Sequence, residues 1–377
     1  MKKTLGLYIH IPFCRSKCLY CDFCSFPRAD GETVEAYANA LCRDLARRSA
    51  ECDGYTVDTV YFGGGTPTLL PIGLLTKLLE TVAGCYRLAP DAEITAECNP
   101  ATGGLEYFAE MRRSGFNRLS IGLQSTHAEE LRALGRIHSF ADFEKTFSEA
   151  RTAGFHNISA DLMSGIPHQT AERYLASIDR LAALLPEHIS AYGLTVEEGT
   201  PFGKMGDRLI LPDEDTARQM YFEGIERLAS HGYGQYEISN FARAGYESRH
   251  NLKYWNCDEY LGFGPAAYSD FGGDRFGNSR DLAAYIEGVS IECDRETPTR
   301  SQRMNEYVML RMRLSEGVSA TEFQRRFGCD FEDAFGKRLA VYERHGLVER
   351  GGDGWHFTRQ GFYVSNAILS EILDFSE

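Results

Sequence analysis

The chain has 377 residues, of which 43% are hydrophobic and 25% charged, with a formal net charge of -14. That length suits one large α/β unit plus a smaller one, and the composition excludes a disordered chain. An acidic surface repels phosphate backbones, so nucleic acid is a poor default partner, and no apolar run approaches the roughly 18 residues of a spanning helix.

The N-terminal MKKTLGLYIHIPF has two lysines and a short apolar run, but Cys14 and Arg15 follow at once and no small-residue cleavage site appears. The segment therefore reads as a first strand, and the protein as cytoplasmic. Strand-like runs then alternate with helical stretches. LGLYIHI (5–11) precedes a helix near 33–50, and TVDTVYF (56–62) one near 72–84. EITAEC (93–98) precedes a helix near 104–114, and RLSIGLQS (118–125) precedes helices near 127–133 and 139–153. NISADLMSG (157–165) leads to a helix near 170–184, and HISAYGLTV (188–196) completes six strands. Strands separated by helices need crossovers and form a parallel sheet, whose ligands lie at the carboxyl ends of the strands. The unusual residues fall there: cysteines after the first strand, glycines after the second, Glu97 near the end of the third.

From about 213 the pattern changes. A helix near 213–231 leads to an aromatic, glycine-rich stretch, 250–278, and polar turn chemistry near 294–301 marks a boundary. Beyond it, helical stretches near 303–314, 319–327 and 331–345 precede a hairpin with GGDG at its tip and a final helix, a winged-helix outline. The expected division is 1–240 for a partial barrel, 241–298 for an extension and 299–377 for a small winged-helix-like α+β domain.

Eleven cysteines are present, and Cys14, Cys18, Cys21 and Cys24 crowd into one short run. CRSKCLYC can wrap three thiolates around three irons of a cubane and leave the fourth iron open. An open iron suits radical chemistry, because the amino and carboxylate groups of S-adenosylmethionine (SAM) can chelate it. A zinc site or unliganded thiols remain alternatives on spacing alone.

YIHIPFCRSKCLYCDF resembles the opening of the radical SAM branch that contains oxygen-independent coproporphyrinogen III oxidase and the haem chaperone HemW; the similarity runs over about 1–290, and the tail matches in outline. The resemblance implies a partial (β/α)6 radical SAM barrel with a 4Fe-4S cluster on Cys14, Cys18 and Cys21. It also implies a SAM contact at Tyr8 and a Tyr20 packed on the cluster loop. In YFGGGTPT it implies Gly64, Gly65 and Thr66 at the methionine end of SAM, with bare backbone open to the ligand. Glu97, Gln124, Arg136 and Asp161 match further SAM positions. Asp161 also interrupts an apolar run, and a buried carboxylate needs partners.

Two members of the branch compete. The oxidases carry a further cysteine two positions after the third cluster ligand, where this chain has Phe23. Cys24 is expected to be a free thiol near the site, since a fourth ligand would block the open iron. HNLKYW (250–255) matches a segment associated with haem binding in the chaperones, which implies His250 as an iron ligand with Tyr254 and Trp255 against the macrocycle. The expected function is a haem chaperone that delivers haem to recipient haemoproteins. The alternative is an oxidase that decarboxylates coproporphyrinogen III. A winged-helix nucleic-acid-binding regulator is the third reading, weakened because 331–345 mixes Lys337, Arg338, Arg344 and His345 with Glu332, Asp333 and Glu343.

Overall fold

The computed structural model describes residues 3–373. Six parallel strands lie side by side in chain order: β1 (Lys3–Ile11), β2 (Tyr55–Gly64), β3 (Leu88–Cys98), β4 (Arg118–Gln124), β5 (Ile158–Ser164) and β6 (His188–Gly193). The intervening helices are α1 (Gly31–Arg48), α2 (Ile72–Cys85), α3 (Leu105–Ser114), α4 (Ala128–Ala133), α5 (Phe140–Thr152) and α6 (Ala171–Ala182). Their starts are set by local chemistry. Asp30 and Thr170 accept the backbone N–H of Thr33 and Arg173, and Ser139 with Asp142 forms a reciprocal capping box. Each such cap stabilises its helix by about 1 kcal/mol.

The period-two pattern of β1 divides its side chains between two environments. Leu5, Leu7, Ile9 and Ile11 are fully buried in the core shared with the helices. Each contributes about 1.5–3 kcal/mol by leaving water. Gly6, Tyr8 and His10 face the other way, toward the residues that alternate on the neighbouring strands: Thr59 and Tyr61, Thr95 and Glu97, Arg118 and Ser120, Ser159 and Asp161. This inner face is polar, and it leads to the strand ends.

The sheet continues beyond the six strands. β7 (Asn240–Ala242) runs antiparallel beside β6, while β8 (Tyr260–Phe263) pairs parallel with β1 on the opposite side. β9 (Tyr268–Phe271), β10 (Asp274–Asn278) and β11 (Glu292–Glu296) follow antiparallel. With Gly234–Gln235, the described residues form one twelve-stranded mixed sheet. The glycine-rich stretch is thus a helix and a meander of that sheet. HNLKYW lies on α8 (Arg249–Trp255), after the longer α7 (Glu214–Ser230).

The C-terminal residues build a second core around Val308, Phe323, Phe331, Leu339 and Trp355. After α9 (Leu282–Glu287) come α10 (Arg300–Arg311), α11 (Ala320–Phe327) and α12 (Lys337–Glu343). They pack with β12 (Val318–Ser319), β13 (Val348–Gly351) and β14 (Gly354–Phe357), in sheet order β12-β14-β13. Ser315 joins this unit to the barrel edge: its N–H donates to Tyr236 O at 2.9 Å and its hydroxyl to Gln235 O at 2.7 Å. Among the described residues, no helix is long and apolar enough to cross a membrane.

Candidate functional site

A cavity of about 520 Å³ opens at the carboxyl ends of β1 to β6. Its wall begins with the cysteine loop, which follows β1 without a helix and is held by backbone hydrogen bonds at its base and middle. Phe26 N–H donates to Pro12 O, and Arg28 N–H to Cys14 O at 3.2 Å. Leu19 is tied at 3.0 Å on both sides, donating to Leu134 O and accepting from Phe202 N–H. A Cβ on Gly135 would lie 2.9 Å from Leu19 Cγ, and the backbone there has φ +72°, so glycine is required where the loop docks.

Cys14, Cys18 and Cys21 line the cavity as free thiols, and burial pushes the thiols of Cys14 and Cys21 upward. Among the described residues, no three His, Cys, Asp or Glu converge on a single ion position. Thiolates on separate irons of a cubane need not converge, so this spread fits a multi-iron group. Positive charge is at hand: the partly buried Arg136 guanidinium lies 3.6 Å from Cys18 Sγ, and its buried Nε has no partner. Its other contacts fix it, with 2.6 Å bonds to Asn99 Oδ1 and Gly122 O. Asn99 in turn donates to Thr66 Oγ1 at 2.7 Å, and Thr66 stands 3.7 Å from Cys14 Sγ. The donor set therefore fits the cluster that the sequence implies. Cys24 is placed differently: it is buried, absent from the cavity wall, and its carbonyl accepts His10 Nε2 at 2.8 Å.

Next to the thiols, the strand ends contribute Glu97, Gln124 and Asp161. Glu97 accepts Tyr61 OH at 2.9 Å and Gly64 N–H at 3.0 Å. Ser120 Oγ donates to Asp161 Oδ1 at 3.3 Å. Burial is the main cause that lifts Glu97 to about 7 and Asp161 to about 6; the charge of Asp161 also raises Glu97. Both carboxylates thus pass between neutral and charged forms near neutral pH. Gln124 sits at φ +72° where β4 shifts register against β5, and its Oε1 accepts Tyr192 OH at 2.8 Å. A cavity with two acids, an amide and a partly buried guanidinium beside three thiols has the polar groups that an amino-acid and ribose ligand needs.

Tyr20, Gly64, Gly65, Thr66 and Arg136 also line this cavity, as the sequence leads one to expect. Two expectations meet a different arrangement. Tyr8 lies on the inner face below the cavity wall, with its hydroxyl 3.0 Å from His10 Nδ1. His250 lies there too, only 1% exposed, with Nδ1 2.8 Å from Thr59 Oγ1 and Nε2 2.7 Å from Tyr254 OH. Both ring nitrogens are occupied, so this conformation presents no imidazole to a haem iron. Gly65 is required for its own backbone packing as well as for ligand approach. A Cβ on Gly65 would meet Phe13 O at 2.6 Å and Ile11 O at 2.8 Å, which is the protein's own backbone. Sequence reasoning missed Asn99, Ser120 and Tyr192. Asn99 had a signal in its place two residues after Glu97, whereas Tyr192 had only its strand end.

Comparisons with known proteins agree with this geometry. Residues 8–181 match the Radical SAM superfamily model, and residues 299–364 match the HemN C-terminal domain. The chain is 35% identical to the "Heme chaperone HemW" of Bacillus subtilis, over 97% of this chain and 98% of the relative. It is also 35% identical to the "Heme chaperone HemW" of Escherichia coli, with 98% of each covered. The solved radical SAM enzyme coproporphyrinogen III oxidase (HemN) of Escherichia coli superposes with a TM-score of 0.88 at 25% identity, over 100% of this chain and 91% of that one. Taken with the cysteine loop and the polar strand ends, these similarities establish that the chain belongs to the HemW family of radical SAM proteins.

Proposed function

We propose that this protein is a cytoplasmic haem chaperone that binds haem and passes it to recipient haemoproteins. The observation that carries this reading is the near full-length similarity to the HemW relatives, which spans barrel, extension and C-terminal unit together. Phe23 supports it against the oxidase: this position, which is 65% exposed on the cavity wall, holds a phenyl ring where the oxidases carry a cysteine.

Cys14, Cys18 and Cys21 hold a 4Fe-4S cluster in this reading, and SAM lies beside it against Gly64, Thr66, Glu97, Gln124 and Asp161. When bound, the cluster and SAM supply one-electron reductive chemistry. The protein's own groups do the rest. Arg136 offsets the negative charge of the thiolate loop while fixing Asn99 and hence Thr66. Glu97 and Asp161, when ionised, would attract the sulfonium charge of the ligand. Leu19 and Tyr20 pack with Leu134, Met163 and Phe202 and close the loop over the cavity. The charges of the C-terminal unit speak against a nucleic-acid reader: Arg350 pairs with Glu332 and Glu343 instead of joining a basic stripe.

Anaerobic reconstitution followed by separate addition of haem, SAM and coproporphyrinogen III tests the reading. Haem should bind with a Soret band, and coproporphyrinogen III should remain unconverted. Robust SAM-dependent decarboxylation by the pure protein would overturn the chaperone and restore the oxidase.

A further inference from the structure

The HNLKYW helix is buried against the inner face of the sheet, and its contacts run toward the SAM cavity. Glu93 on β3 accepts the N–H groups of Arg249 and His250 at 3.2 and 3.1 Å. Lys253, 4% exposed, pairs with Asp58 at 2.8 Å and donates to Thr4 at 3.2 Å. The helix is thus bolted to three strands, and it carries His250 under the ring of Tyr61. The two rings stack with centroids 5.1 Å apart and planes 23° from parallel. Tyr8 is the second ring neighbour of Tyr61, at 6.2 Å and 24°. A Cβ on Gly63 would stand 2.8 Å from Tyr61 Cε1, so that side is closed as well. Held between these rings, the Tyr61 hydroxyl donates to Glu97 Oε1 at 2.9 Å.

We propose that His250 is a positioning residue for SAM, acting through Tyr61 to hold the Glu97 carboxylate at the cavity. Thr59 and Tyr254 fix the imidazole, the imidazole fixes the Tyr61 ring, and the Tyr61 hydroxyl fixes one carboxylate oxygen. Gly64 N–H holds the other oxygen. Removal of the imidazole opens a space into which the Tyr61 ring can swing, and Glu97 then keeps only the backbone bond. The inference rests on the proposed contact between Glu97 and SAM.

The test is SAM affinity by calorimetry on cluster-loaded protein for wild type, Glu97→Gln, Tyr61→Phe, His250→Ala and the double variant Tyr61→Phe/His250→Ala. Loss of a hydrogen bond to a charged group predicts a drop of roughly tenfold in Tyr61→Phe and in His250→Ala. The double variant should bind no more weakly than either single one, because both break one link; a general loss of packing would multiply the two effects. Wild-type affinity in His250→Ala, or multiplied losses in the double variant, would overturn the proposal. If His250→Ala does not fold, Thr59→Val replaces it in the same cycle, since it frees the imidazole and keeps the strand's shape. Unchanged SAM affinity in Glu97→Gln would instead overturn the underlying contact, so the two failures are distinguishable.

Discussion

Gly65 joins the SAM loop to the cysteine loop, so one added methyl should disturb both. The Cβ of Gly65→Ala would lie 2.6 Å from Phe13 O, 2.8 Å from Ile11 O and 2.8 Å from Phe13 N. All three are backbone atoms, so no side-chain rotation relieves the contact. The chain must move by several tenths of an ångström, and the 2.8 Å bond from Gly65 N–H to Ile11 O moves with it. Overpacking of this kind costs about 1–3 kcal/mol, and a weakened hydrogen bond adds about 1 kcal/mol. Cys14 follows directly on Phe13, so the displacement reaches the first cluster ligand. The expectation is a variant destabilised by about 2–4 kcal/mol in urea unfolding that reconstitutes well below the roughly four irons of a cubane. Gly73→Ala is the control: nothing lies within 4 Å of its Cβ in α2, and alanine there should be neutral or stabilising by about 0.5–1 kcal/mol. If Gly65→Ala matched that control in both stability and iron content, the coupling between the two loops would be refuted.

Cys14→Ser, Cys18→Ser and Cys21→Ser should each abolish the brown colour of anaerobically purified protein, while Cys24→Ser should keep it, as read from iron content and absorbance. Stability and SAM affinity should respond to pH in opposite directions. Burial raises Glu97 to about 7 and Asp161 to about 6, so between the ordinary carboxylate range and about 7 the folded protein binds protons that the unfolded chain has lost. Melting temperature without ligand should therefore fall as pH rises through 5 to 7, while affinity for cationic SAM rises; Glu97→Gln should flatten both trends. Glu237, lifted by burial to about 7, adds to the stability trend alone. Trp355→Ala should destabilise the C-terminal unit by about 3–5 kcal/mol, because Trp355 is 1% exposed and its indole N–H donates to Glu332 at 2.7 Å; chemical unfolding followed by tryptophan fluorescence of Trp255 and far-UV dichroism measures it.

The cysteine loop was legible because its chemistry is local. Three thiols within eight residues remain neighbours whatever the rest of the chain does. The strand-end residues Glu97, Gln124 and Asp161 were legible for a different reason: a parallel sheet sends the carboxyl ends of all its strands to one side, so position in the strand predicts place in the site. Tyr8 broke that rule because depth along the strand matters as much as face. It alternates onto the same inner face as Tyr61, but three residues before the end of β1 it falls below the cavity wall. The strand β8 was illegible because its partner is β1, some 250 positions earlier; Tyr260 lies opposite Gly6, and no local period signals so distant a pairing. The same distance hid the role of α8, since HNLKYW shows its residue types in sequence but not that Glu93 and Asp58 hold it from two different strands.

Arg118 shows why the inner face was harder to read than the outer one. In RLSIGLQS the apolar Leu119, Ile121 and Leu123 mark a strand, and the pattern does not say whether Arg118 and Ser120, which alternate with them, face water or an interior. In the fold that side is inside: Arg118 is only 2% exposed, and its Nε has no hydrogen-bond partner. A lone buried guanidinium is unfavourable unless opposite charge lies near. Glu97 and Asp161 supply it, and its field opposes the rise that burial imposes on both acids. The carboxylates that face the cavity and the arginine beneath them therefore stabilise one another's charges across strands β3, β4 and β5. A sequence pattern reports which residues alternate, but this balance depends on three strands curving around one interior, and that curvature turns a polar face into a binding site.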